Sequence, residues 1–297
     1  MTEQQIARRK AYMALAAIPL LWGYNWVIMK ESLQYCNPFI FSALRTFFAS
    51  FILFFLLYRE TGSIMPKNIT LLIFTGLFTT GGGVGVAIWA LNNGGAGKTA
   101  VLVWTMPFWI LILAWPILSE KIRGLRWIVV GLASSGLTLI LAPWNVTLDL
   151  FGSLLAVLAG FMMGFGAILV KIMRKKGDFD IMSVTAWQFF FGGIPIGIVA
   201  VFIPTQPTQW TPTLIGGLTY NIVFAAALAN LFWFYCLKHL PAGTVGMSMM
   251  AVPVIGVVSA ALKLGEKPLP LEIFGMVLIL CSIILLSVLD LRVRQNT

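Results

Sequence analysis

The chain has 297 residues, of which 59% are hydrophobic and only 10% charged, and it carries a formal charge of +10. Soluble domains carry about 25% charged residues, so this composition points to lipid as the solvent and excludes a large aqueous domain. The basic excess does not argue for nucleic acid, because no basic face with interleaved aromatics appears, and Lys and Arg collect on the cytoplasmic side of membrane proteins.

In chain order, ten apolar stretches follow one another, at about 11–30, 38–58, 69–91, 98–118, 124–142, 150–171, 180–203, 213–237, 242–263 and 270–290. Each is close to the roughly 20 residues that a helix needs to cross a bilayer core. Pro, Gly, Asn and charge clusters separate them, as at Cys36-Asn37-Pro38, Pro66-Lys67-Asn68, Asn92-Asn93-Gly94-Gly95 and Lys175-Lys176-Gly177-Asp178. Arg8-Arg9-Lys10 before Ala11–Leu21 has the outline of a signal peptide, but the apolar run continues to Met29 with no small-residue cleavage site. The first stretch therefore reads as an uncleaved span. The expected fold is an all-α integral membrane protein of ten transmembrane helices.

The loops set the expected orientation. Fifteen Lys and Arg fall in the N-terminus, the even-numbered loops and the C-terminus, against four (Lys30, Lys98, Lys263 and Lys267) on the other side. This bias predicts that both termini are cytoplasmic and that the protein is a multi-pass protein of the inner (plasma) membrane. Cys36, Cys236 and Cys281 match no metal-site spacing and read as structural or neutral; no cofactor is expected.

The second half echoes the first. At a shift of 146 residues, Leu91 matches Leu237, Ala96-Gly97 matches Ala242-Gly243, Pro107 matches Pro253, Ala114 matches Ala260, Leu118 matches Leu264 and Glu120-Lys121 matches Glu266-Lys267. Gly23 and Lys30 match Gly164 and Lys171 at a shift of 141. Five spans per half is an odd number, so the halves, 1–146 and 147–297, are expected to enter the membrane from opposite faces. Inverted repeats of this kind hold substrate near the midplane of secondary transporters.

Trp22-Gly23-Tyr24-Asn25 in the first span resembles the opening motif of the drug/metabolite transporter superfamily, EamA type. Arg45, the Ala-Gly pairs opening spans four and nine, Pro107 and Pro253 fit the same pattern. Ser119-Glu120-Lys121…Gly131 and Gly265-Glu266-Lys267-Pro268…Gly275 resemble its paired Gly-Glu signature, with Ser119 standing in for Gly in the first copy. The resemblance covers essentially the whole chain. It implies a ten-helix fold and a central cavity lined by spans 1, 3, 4, 6, 8 and 9. It also implies export of small metabolites, with the aromatic amino-acid exporters closest in character.

All ten acids fall in loops or at span ends. An intramembrane carboxylate is the usual sign of a proton relay, so tight proton coupling is not expected, nor are permanent cations as substrates. His239 reads as a solvated loop residue. Arg45, the one charge inside a span, offers a carboxylate or phosphate clamp. The favoured reading is instead snorkelling or a structural bond, because the resemblance makes span 2 peripheral.

Uncharged residues near the midplane are the expected substrate-binding set. They are Trp22 and Asn25, Thr79 and Thr80, Trp104 and Thr105, Asn230 and Trp233, and Ser248. Asn in hydrocarbon is costly unless hydrogen-bonded, so Asn25 and Asn230 should face the interior. Trp127, Trp144 and Trp210 suit interfacial belts. Met162, Met163, Met247, Met249 and Met250 suit adaptable packing. Pro107 and Pro253 each free a carbonyl and suit kinks or hinges in spans four and nine.

Gly94-Gly95-Ala96-Gly97-Lys98-Thr99 imitates a phosphate loop, but the required first Gly is Asn92 and no strand precedes it. The expectation is a secondary transporter, not an enzyme, for small neutral or zwitterionic metabolites, amino acids including aromatic ones foremost. Its partners are a small-molecule substrate and the lipid bilayer. The alternatives are a sugar-phosphate or nucleotide-sugar carrier and, further off, an intramembrane enzyme or a channel.

Overall fold

The computed structural model describes residues 3–120, 122, 124–141, 149–177, 180–203 and 207–295. Lys121, Arg123, Trp144, Asp178 and the boundary at 146/147 lie outside the described residues, as do the side chains of Glu3, Asp149, Ala242, Gly243, Met247, Asp290, Arg292 and Arg294. The first helices are α1 (Glu3–Ser32), α2 (Pro38–Thr61), α3 (Ile69–Asn93), α4 (Ala96–Leu118) and α5 (Arg126–Leu141). They are followed by α6 (Asp149–Lys175), α7 (Ile181–Phe202), α8 (Pro212–His239), α9 (Ala242–Ser248 with Ala251–Leu264) and α10 (Pro270–Gln295). Among the described residues, nine helices are long and apolar enough to cross a membrane; α5 is shorter, though as apolar.

Local chemistry sets the helix ends. Asn37 accepts the Phe39 N–H at 2.9 Å and Pro38 opens α2. Asp180 accepts from Met182 and Ser183 at the start of α7, and Thr211 accepts from Leu214 with Pro212 opening α8. Each cap satisfies amides that the first turn leaves unpaired.

The lipid side and the interior differ by size rather than polarity. Phe48, Phe51 and Phe55 on α2 and Leu262 on α9 point outward, while small residues line the contacts between helices. In lipid, association rests on close packing, which small residues permit. α5 and α10 meet at Gly136 and Gly275: a Cβ on Gly136 would sit 2.7 Å from the Gly275 oxygen, and one on Gly275 would sit 2.8 Å from the Gly136 oxygen.

The packing scheme is paired. α5 lies on α10, α2 on α7 and α4 on α9. The α1–α9 contact has its counterpart in α6–α4, α3–α7 in α8–α2, and α3–α6 in α8–α1. Irregularities are paired too. α3 is π-helical over Gly76–Val84 and α8 over Tyr220–Leu228. α4 breaks at Trp104–Thr105 and α9 at Met249–Met250. These breaks lie just before Pro107 and Pro253, whose missing N–H groups leave the Val103 and Met249 carbonyls without the usual helical partner. Tighter i→i+3 bonds stand at the breaks, Thr105 N–H to Leu102 O at 3.2 Å in α4 and Val252 N–H to the Met249 oxygen at 3.1 Å in α9.

α4 and α9 also end alike. Ser119 (φ 57°) and Gly265 (φ 67°) are left-handed. Glu120 then donates its N–H to Ala114 O, and Glu266 to Ala260 O. In both copies a left-handed residue turns the chain so that the next amide folds back onto the last turn of the helix.

Candidate functional site

The central cavity, about 310 Å³, lies among α1, α2, α3, α4, α6, α7, α8 and α9. Ligand pockets run from about 300 to 1,000 Å³, so it suits a small molecule. It sits where the helices are least regular. Thr79, Val84 and Ala225 line it from the two π-helical stretches, and Trp104 from the break in α4. π-helical turns release backbone groups and recur at functional sites. Within the second stretch, the Ala225 oxygen accepts the Trp22 indole N–H at 2.8 Å.

Five expected residues, Trp22, Asn25, Thr79, Trp104 and Asn230, line this one cavity. Asn230 spends its Nδ2 on the Ala226 oxygen at 2.7 Å. Asn25 and Thr79 stand differently. Asn25 Oδ1 and Thr79 Oγ1 are enclosed with no protein partner, and an unsatisfied buried polar group costs about 1–3 kcal/mol. Gly23 explains the spacing of the first motif. A Cβ there would reach Ile255 Cβ at 2.6 Å and the Val252 oxygen at 2.9 Å, so Gly lets α1 close on α9 and aims Trp22 and Asn25 inward.

The other four sit outside the cavity lining. Thr80 is fully buried toward Gly192 on α7. Thr105 donates to the Leu102 oxygen at 2.6 Å and accepts from the Trp109 indole at 3.2 Å. Trp233 packs behind Trp22, with ring centroids 6.2 Å apart. Ser248 donates to the Leu15 oxygen at 3.3 Å, holding α9 to α1. Sequence reasoning did not place Trp26, Met29 and Phe189 at the cavity, and it read Arg45 as a structural residue; all four line it. A lone charge within a span was the available signal for Arg45.

One end of the bundle is tied by charge. Glu266 accepts the N–H groups of Ala96 (2.5 Å) and Gly97 (3.0 Å) at the start of α4. Lys98 pairs with Glu272 at 2.5 Å. Lys30 donates to the Leu91 and Gly94 oxygens at the end of α3, both at 2.7 Å. The anion sits at a positive helix start and the cation at a negative helix end. At the other end Lys171 pairs with Glu120 at 2.7 Å, and Lys175 lies 3.9 Å from the same carboxylate.

With this fold and cavity in view, the comparisons place the chain. The model of the EamA-like transporter family matches twice, over residues 9–142 and 150–288. The chain belongs to the EamA-like transporter family and is a multi-pass membrane transporter. It is 28% identical over 280 residues to the uncharacterized transporter YoaV of Bacillus subtilis (strain 168), covering 92% of this chain and 95% of that one. It is 27% identical to a protein of Salmonella typhimurium named "Probable amino-acid metabolite efflux pump", and 25% identical to one of the same name in Escherichia coli (strain K12). Both alignments cover 98% of each chain. A solved crystal structure superposes over 95% of this chain and 98% of its own, with a TM-score of 0.64 at 14% identity, a likeness of fold alone.

Proposed function

We propose that this transporter exports small zwitterionic metabolites, amino acids including aromatic ones, from the cytoplasm across the plasma membrane by alternating access. The carrying observation is the cavity itself. Asn25 and Thr79 line it together with Trp22, Trp104 and Phe189, and Asn25 Oδ1 and Thr79 Oγ1, the latter packed toward Gly166, are enclosed without a protein partner. An ammonium group supplies the donors that these oxygens lack, and an aromatic or aliphatic side chain packs on the rings. The printed names of the enterobacterial relatives, each an amino-acid metabolite efflux pump, support the same class.

Alternating access rests on the halves 1–146 and 147–297 being inverted copies that rock about the midplane. The paired contacts, paired π-helical stretches and paired breaks support it. The two ends differ in the way a two-state carrier requires: Glu266 and Lys30 grip helix ends, while their repeat counterparts Glu120 and Lys171 hold each other. The breaks before Pro107 and Pro253 are the hinges. By the loop charges, both termini are cytoplasmic and the Glu266 end is the outer one.

No Asp or Glu lines the cavity among the described residues, so flux follows the substrate gradient without an obligatory proton. A screen of the twenty amino acids by thermal shift, followed by flux in proteoliposomes with and without a pH gradient, tests the reading. Stabilisation by a subset of amino acids and flux indifferent to the pH gradient are expected. Silence across the screen, or uphill flux driven by protons, contradicts it.

A further inference from the structure

We infer that Arg45 is a substrate-binding residue that takes a carboxylate, so the cavity selects zwitterions or carboxylic acids over their amides. The inference rests on the transporter reading above, and extends it from the acceptor side of the cavity to its donor side.

Arg45 lies on α2, within the span rather than at its ends, and its side chain lines the cavity. Its Nε is enclosed and has no protein acceptor. Its Nη1 reaches only the Met29 sulfur, at 3.4 Å, and a thioether is a weak acceptor. A guanidinium keeps its charge at any physiological pH. Charges held at membrane depth pair with acids or backbone carbonyls, or mark a substrate path. Here no carboxylate lines the cavity among the described residues, so the first explanation fails. Snorkelling fails as well, because the guanidinium head lies against Met29 in the cavity wall, with Nη1 3.4 Å from the Met29 sulfur.

The cavity therefore carries an unmatched permanent cation and, on α1 and α3, two unmatched acceptors. An α-amino acid is the complement of that set. Its carboxylate takes the Arg45 fork, its ammonium takes the side-chain oxygens of Asn25 and Thr79 once these turn from their enclosed positions toward the cavity, and its side chain faces the Trp wall. A single cation also limits the anion, since a phosphate or diphosphate brings more charge than one guanidinium neutralises.

The test uses purified full-length protein, with tryptophan fluorescence reporting binding. Three probes share one ring: L-phenylalanine, L-phenylalaninamide and 3-phenylpropionate. The wild type is expected to bind an acid about ten- to a hundredfold more tightly than the amide, the range of a charge-assisted bond. Arg45→Gln weakens both acids at least tenfold and does not weaken the amide, whose ammonium no longer faces the guanidinium charge. Arg45→Lys, which keeps the charge but loses the fork, recovers part of the gap. Binding of 3-phenylpropionate but not of L-phenylalanine sinks the amino-acid reading and leaves the Arg45 assignment standing. A wild type that binds the amide as well as the acids, or binds none of the three, overturns the assignment without any variant having to fold. Equal weakening of all three probes in Arg45→Gln marks a structural residue and overturns it too.

Discussion

Glu266 Oε1 accepts the backbone N–H of Ala96 at 2.5 Å, so a carboxylate from the second half of the chain caps a helix of the first. This contact joins two separate sequence signals, the Ala-Gly pair that opens α4 and the Gly-Glu pair that follows α9. Gly265 turns the chain at φ 67°, which sets Glu266 against the amides, and the Ala96-Gly97 start gives the carboxylate room. A Cβ on Gly97 would meet Val257 Cα at 3.1 Å.

Removing this cap should loosen the outer end. Helix caps contribute about 1 kcal/mol, close to a fivefold change in a two-state population. Glu266→Ala is expected to speed labelling of a cysteine at Val103, in a background without other cysteines, several-fold. The reagent is an impermeant maleimide added outside right-side-out vesicles. Unchanged labelling would separate this contact from gating.

Ser119 occupies the left-handed position that Gly265 fills in the other copy. A left-handed non-glycine residue costs roughly 1–2 kcal/mol. Ser119→Gly should therefore stabilise the protein by about 1 kcal/mol, raising Tm by roughly 2–4 °C for a chain of this size. A thermal melt in detergent checks it, and a fall in Tm would contradict the account of the cap.

Asn25 should separate stability from transport. Its Oδ1 is enclosed without a partner, so Asn25→Leu removes an unsatisfied group worth about 1–3 kcal/mol. The variant is expected to melt at or above the wild-type temperature while losing most amino-acid flux. A variant that transports normally would show that Asn25 ties helices and does not touch substrate.

Gly136 should do the reverse. Its missing Cβ is what lets α5 lie on α10, outside the cavity. Gly136→Val is expected to cost about 1–3 kcal/mol through overpacking, read as a lower Tm. KM for the transported substrate in protein that remains folded should not move.

The helices were legible because lipid imposes length and apolarity on each of them. Among the described residues α5 runs over Arg126–Leu141, beside its partner α10. The site was legible where one residue sets a face. Trp22 and Asn25, three apart, do share the cavity wall. Neighbours did not follow, because successive helix positions turn away from each other. Thr80 and Thr105 therefore point into packing while Thr79 and Trp104 reach the cavity. Trp233 shares a face with Asn230, but the bulk of Trp22 covers it. The π-helical stretches carry no period that an apolar sequence reveals, so Ala225 as a hydrogen-bond acceptor was invisible. Arg45 was visible as a charge, but which helices close around it depends on tertiary packing.

Counterflow in proteoliposomes tests the central claim most directly. Vesicles loaded with unlabelled substrate amino acid, at equal pH inside and out, are diluted into a trace of the labelled form. A carrier whose one cavity faces each side in turn should draw the label in transiently above its outside concentration. Entry of label indifferent to the internal load, or accumulation only under an imposed pH gradient, would contradict it.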